Sequence, residues 1–205
     1  MKSIVGSAVF ALAAGVCAPA LAQMGVMTDR GTPHDPGGYD SQPQPAHKER
    51  ADPEGVAEDL RLRGKCDKAV PILRGLVNDG EDVEVAQFNL GLCLIDLAKT
   101  DPSRAAMLNQ EGATWILRAA KTGFGKAEAE AALLYLDGIG VPADPVEAEK
   151  WALIYHDNPM RLALGLPNLA PDAASRLDAA LTDAQRAEAQ KRADAWSPKT
   201  ADPDR

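Results

Sequence analysis

The stretch ALLYLDGIGVPADPVEAEKWA, residues 132–152, constrains the fold more than any other part of the chain. Its first six residues continue an alanine- and glutamate-rich run that suits a helix, and its last nine open with Asp144-Pro145, an N-cap followed by a proline at the first helical position. Between them Gly138 and Gly140 bracket a chain reversal, where glycine permits the left-handed backbone that a helix end uses. The same letters also spell G-x-G-x-x-A through Gly138, Gly140 and Ala143, the spacing of a dinucleotide-binding loop. Such a loop needs a strand before its first glycine, and AEAEAALLYLD is helical in character. Pro142 further removes a backbone N–H that a phosphate would use. The stretch therefore predicts a helix, a tight turn and a second helix, with Glu147 completing a variant of the capping box.

The same plan recurs upstream. VEVAQFNLGLCLIDLAK places Ala86, Leu90, Cys93 and Leu97 on one helical face and Val85, Phe88, Leu92 and Ile95 on an adjacent one, so both faces require cover. Asp101-Pro102 is expected to open its partner helix, which carries Trp115, Ile116, Ala119 and Ala120 and closes at Gly123. Superposing Ala86 on Ala127 brings Cys93 onto Leu134 and Asp96 onto Asp137, and Trp115 precedes Trp151 by 36 positions. A period of this size marks a helical repeat protein. The interval from Asp-Pro to Trp is longer by seven residues in the first unit, either because its second helix starts earlier or because a loop is inserted. Ahead of both, Asp52-Pro53 caps EGVAEDLRLRG, which stops at Gly64. Asp67 begins a further helix with Pro71 near its first turn, ending at Asn78-Asp79-Gly80.

Tyr135, Gly138, Gly140, Val141, Asp144, Ala148 and Trp151 together resemble a Sel-one-like repeat, a relative of the tetratricopeptide repeat. Gly91 and Trp115 are the matching positions of the looser unit at 83–123. The hairpin at 53–79 is closer to a generic tetratricopeptide unit. The resemblance covers about half of the chain. It implies an all-α fold: a short right-handed α-solenoid of stacked antiparallel helical hairpins over 53–158, with a C-terminal helical cap over 159–196. In that cap Ala174, Leu177 and Leu181 form a stripe, Thr182 and Gln185 form a capping box, and Trp196 is expected to pack on the last repeat.

The remaining segments bear on location. Residues 1–22, MKSIVGSAVFALAAGVCAPALA, read as a secretory signal with an A-x-A cleavage site, its apolar run being too short to span a bilayer. Cys17 could anchor a lipoprotein, but Val16 and Ala14 depart from the residues that lipidation favours. The segment 23–52 is rich in Gly and Pro and reads as a disordered linker in which His34 and His47 are solvated; 197–205 reads as a flexible tail. No integral membrane segment is expected after cleavage. Cys66 and Cys93 then remain in an oxidising compartment. Thirteen residues rise from Cys66 toward the turn near Gly80 and thirteen return to Cys93, about 20 Å each way, so the thiols come back to one level. A Cys66–Cys93 disulfide is expected, the alternative being two free thiols with Cys93 buried as a small apolar side chain.

The formal charge of −8, about −9 after cleavage, excludes the basic footprint of a nucleic-acid binder. No catalytic, cofactor-binding or metal-binding set emerges: there is no G-x-S-x-G, S-x-x-K, P-loop or H-E-x-x-H. His156 stands alone in its helix. The resemblance implies a periplasmic or secreted scaffold or adaptor for a protein or peptide partner, and no enzyme. Its alternative is β-lactam binding or hydrolysis, associated with secreted relatives that carry a cysteine pair in each repeat, whereas one pair spans two hairpins here.

Overall fold

A computed structural model describes residues 52–78 and 83–199. The signal at 1–22, nearly all of the linker with His34 and His47, Gly80 and the tail beyond 199 lie outside the described residues. Within them the chain forms nine helices and no strand: α1 (Pro53–Leu62), α2 (Cys66–Leu76), α3 (Val83–Thr100), α4 (Ala105–Lys121), α5 (Gly125–Asp137), α6 (Pro145–Asp157), α7 (Pro159–Leu164), α8 (Pro171–Ala180) and α9 (Asp183–Asp194).

The first six helices pair as hairpins α1/α2, α3/α4 and α5/α6, with α2 against α3 and α4 against α5. Apolar periodicity explains the stacking. One core gathers Ala69 and Leu73 of α2, Leu90, Cys93 and Leu94 of α3, and Leu108 of α4. A second gathers Phe88 and Ile95 from another side of α3 with Ile116, Ala131, Leu134 and Trp151. Helix α3 thus feeds both cores, as its two apolar stripes require. Small residues let helices approach closely: a Cβ added at Gly91 would lie 2.7 Å from the Gly112 carbonyl oxygen, and one at Gly112 would lie 2.8 Å from that of Gly91.

Helix starts follow the caps in part. The Asp52 carboxylate accepts from the N–H groups of Glu54 and Gly55, and Thr182 makes the full capping box with Gln185. Helix α2 instead begins at Cys66 with no side-chain cap, which leaves Pro71 beyond the first turn. Its missing N–H frees the Asp67 carbonyl, an exposed position where water can bond it. Asp101-Pro102 does not open α4 directly. Residues 102–104 form a turn because the Asp101 carboxylate is engaged by Ser103 and Arg104, and α4 starts at Ala105. The extra length of that unit is therefore an earlier helix start plus a short turn.

After Asn158 the hairpin pattern gives way to α7, whose first N–H groups are capped by the Asn158 side chain. Helix α8 buries Ala173 and Leu177, with Leu181 after it, while Ala174 is exposed. The stripe runs one position earlier than the apolar spacing indicates, since alanines at both positions carry no directional signal. Helix α9 then packs on α6, and beyond Trp196 the Lys199 N–H bonds to the Lys121 carbonyl at the end of α4.

Candidate functional site

The residues singled out in the sequence converge on the α5–α6 turn and its contacts with α4. Gly138 takes a left-handed conformation, φ 69°, and its N–H and that of Ile139 both bond to the Leu134 carbonyl, closing α5. Gly140 is left-handed too, φ 71°, with a further constraint: an added Cβ would lie 2.1 Å from the Asn109 carbonyl oxygen and 2.8 Å from Ala113 Cβ. This glycine brings the turn onto the backbone of α4, in the preceding hairpin. Asp144 bonds twice. Its N–H reaches the Tyr135 carbonyl at 2.9 Å, tying the turn back to α5, while its carboxylate accepts from the N–H groups of Val146 and Glu147. Because that N–H is used, the reciprocal arm of a capping box is not made. The Glu147 carboxylate turns to Lys150 and Arg192 instead. Ala148 is fully buried against Leu177 and Leu181.

The two aligned tryptophans have different surroundings. Trp151 is buried, edge-on to Trp196 with ring centroids 5.9 Å apart. Trp115 lies against the first core, half-buried, with the Arg118 guanidinium 5.6 Å from its ring. A covering helix explains the contrast, since α9 caps α6 and carries the chain on to Trp196.

Cys66 and Cys93 are joined by a disulfide, with Cα atoms 5.0 Å apart and both residues buried. It links the first residue of α2 to the middle of α3, fastening the first hairpin to the second.

Helices α3 and α5 share a polar face. Asp96 and Lys99 of α3 pair at 2.7 Å. Glu130 of α5 lies close enough to feel these charges and that of Asp137, which is itself engaged by Arg176 of α8. Burial raises the Glu130 carboxyl; Lys99 opposes the shift, and Asp96 and Asp137 reinforce it. Among the described residues no group of three His, Cys, Asp or Glu side chains is placed to hold a metal ion.

No protein-family profile matches the sequence, and no curated protein is significantly similar to it. Among solved structures the chain is similar to a protective antigen present in uropathogenic Escherichia coli strains that displays a Sel-one-like repeat fold, at 24% identity over 69% of this chain and a TM-score of 0.55. The chain spans 28% of that antigen's length. The fold is that of Sel-one-like repeats.

Within this Sel-one-like fold sits a buried polar pair that the sequence reading misses. Glu128 of α5 is fully buried. Its Oε2 accepts from Asn158 Nδ2 at 2.8 Å, and Asn158 also donates to the Gly123 carbonyl at 3.0 Å. Among the described residues Oε1 of Glu128 has no hydrogen-bond partner. Burial pushes this carboxyl up to about 7 despite the Asn158 bond. The pair joins the start and end of the last hairpin to the N-terminus of α7. A signal was present in the spacing: Glu128 precedes Ala132 by four and Tyr135 by seven, which sets it on an inward stripe. Arg161 was missed as well. Buried beside the Tyr155 ring, it donates to the carbonyls of His156 and Leu166 and to Asn168, pinning the α7–α8 loop.

Proposed function

We propose that this chain is an exported scaffold or adaptor that holds a protein or peptide partner on its helical-repeat surface. One observation carries the reading: α3 and α5 bury their apolar sides in two cores and leave Asp96, Lys99 and Asp137 exposed, with Glu130 half-buried among them. Stacked repeats expose extended surfaces of this kind for partners. Gly91, Gly138, Gly140, Asp144 and the two tryptophans serve here to set the spacing of the hairpins. The disulfide supports residence in an oxidising compartment, periplasmic or extracellular. No described helix is long and apolar enough to cross a membrane.

The test is crosslinking in the intact envelope followed by mass spectrometry. A defined partner is expected, with crosslinks mapping to α3 and α5. Recovery of the uncrosslinked chain alone would sink the reading. A nitrocefin assay addresses the β-lactam alternative; turnover above a denatured control would replace the scaffold with an enzyme.

A further inference from the structure

A recess lies away from the α3/α5 face, between α6 and α8. This open groove of about 470 Å³ is walled by Leu153 and Tyr155 of α6, Leu169 of the α7–α8 loop and Leu177 of α8, with Glu149 and Asp178 at its sides. No lysine or arginine lines it. The two carboxylates differ. Asp178 is neutralised by Arg186, whose Nη1 reaches its Oδ1 at 2.7 Å, and Arg186 Nη2 is fixed by the carbonyls of Asp178 and Leu181. Arg186 is thereby held off Glu149, to which it contributes charge but no hydrogen bond. Glu149 is half-buried and, among the described residues, has no hydrogen bond or ion pair.

Tyr155 presents a fixed ring. Its hydroxyl donates to the Pro167 carbonyl at 2.6 Å, which anchors the groove wall. The groove therefore offers leucine side chains, an immobilised aromatic, the polar side chains of His156 and Asn168, and one carboxylate, Glu149, that no hydrogen bond engages. An anion would meet Glu149 and Asp178, with the nearby Arg186 already committed to Asp178. A wholly apolar group would strip water from Glu149 and leave that carboxylate unpaired. A cation on an aliphatic stem satisfies both surfaces, the stem lying on the leucines and the head pairing with Glu149.

We propose that the α6/α8 groove binds a lysine or arginine side chain presented by a partner polypeptide, with Glu149 as the specificity-determining residue. The proposal names a partner class for the scaffold reading and rests on it only for the source of that side chain.

The test uses the mature chain with its disulfide intact and a blocked Leu-Lys-Leu peptide as probe, followed by NMR amide shifts. Shifts are expected at Leu153, Leu169 and Ser175, with binding about tenfold weaker for the Leu-Gln-Leu peptide and similarly weakened for the lysine peptide by Glu149→Gln. Unchanged thermal unfolding of the variant is checked alongside, and Ser175→Tyr, at an exposed position, is a second variant that blocks the groove without touching the charge. Equal binding of the glutamine and lysine peptides, shifts that ignore both variants, or no shifts in the groove would overturn the proposal. Envelope crosslinking separates the two readings: peptide binding that ignores both variants while a partner is still captured defeats the groove alone, whereas specific peptide binding without any captured partner defeats the scaffold alone.

Discussion

Gly140 shows how a single residue can serve a contact more than a conformation. Gly64 has nearly the same φ, 69° against 71°, yet nothing lies within 4 Å of a Cβ built there. Alanine at Gly64 meets only the left-handed penalty, about 1 kcal/mol. Alanine at Gly140 adds a collision with the Asn109 carbonyl, for a total loss of about 2–4 kcal/mol. Urea unfolding of the two variants checks this, and equal losses would show that the turn can drift off α4. The sequence alone could not separate these glycines, because both stand after helices and the distinguishing atom lies in another hairpin. Glu128 carries the second prediction at this scale. Its folded carboxyl is raised from 4.5 to about 7, so between those values the native state holds a proton that the unfolded chain has released. Stability then falls as pH rises from about 4.5 to 7, by at most ~3 kcal/mol from this group. Glu128→Gln removes the titration, so its stability relative to wild type should climb across pH 4.5, 6 and 8. Parallel pH profiles would show that the carboxyl is not desolvated as the structure has it.

At the scale of the helix, what the sequence discloses depends on whether its signals are local. Asp52, Asp144 and Thr182 mark helix starts because their side chains bond N–H groups two or three residues on, a contact written within one turn. The N-cap residues of α2 and α4, Lys65 and Arg104, make no such bond, so the sequence around Pro71 and Asp101 does not mark where those helices start. Alanine-rich α8 defeated the apolar spacing in the same way, since its neighbours choose Ala173 over Ala174. The capping role of α9 was legible through Thr182, Gln185 and Trp196, and it yields a prediction. Trp196 is half-buried, stacked edge-on to Trp151, and Arg192 reaches Glu147 across the α6/α9 seam. Trp196→Ala should cost about 2 kcal/mol, half or so of the loss for a fully buried aromatic, and should speed hydrogen exchange in α6 more than in α2 or α3. A uniform rise in exchange would indicate that α9 supports the whole stack and not its last hairpin.

For the whole molecule the question is what binds the front hairpin to the rest. A solenoid hairpin touches only its neighbours, and α1/α2 has a neighbour on one side alone among the described residues. Its exposed Val56 and Leu62 show that the outer side is left open. The Cys66–Cys93 bond meets this weakness by closing a 27-residue separation across the seam between α2 and α3. On the chain-entropy model a loop of that size stabilises by about 3–4 kcal/mol. In a domain of this size that is worth about 10 °C in melting temperature. The paired Cys66→Ala/Cys93→Ala variant is the better probe, because serine would bury a hydroxyl at the fully enclosed Cys93. Reduced wild type serves as the control for lost side-chain volume. Both should melt about 10 °C below the oxidised protein, with exchange rising first in α1 and α2 while the α5/α6 hairpin stays protected. A reduced protein melting within about 2 °C of the oxidised one would mean that core packing of Ala69, Leu73 and Leu90 already holds the first hairpin in place, and that the bond serves resistance to proteolysis ahead of equilibrium stability.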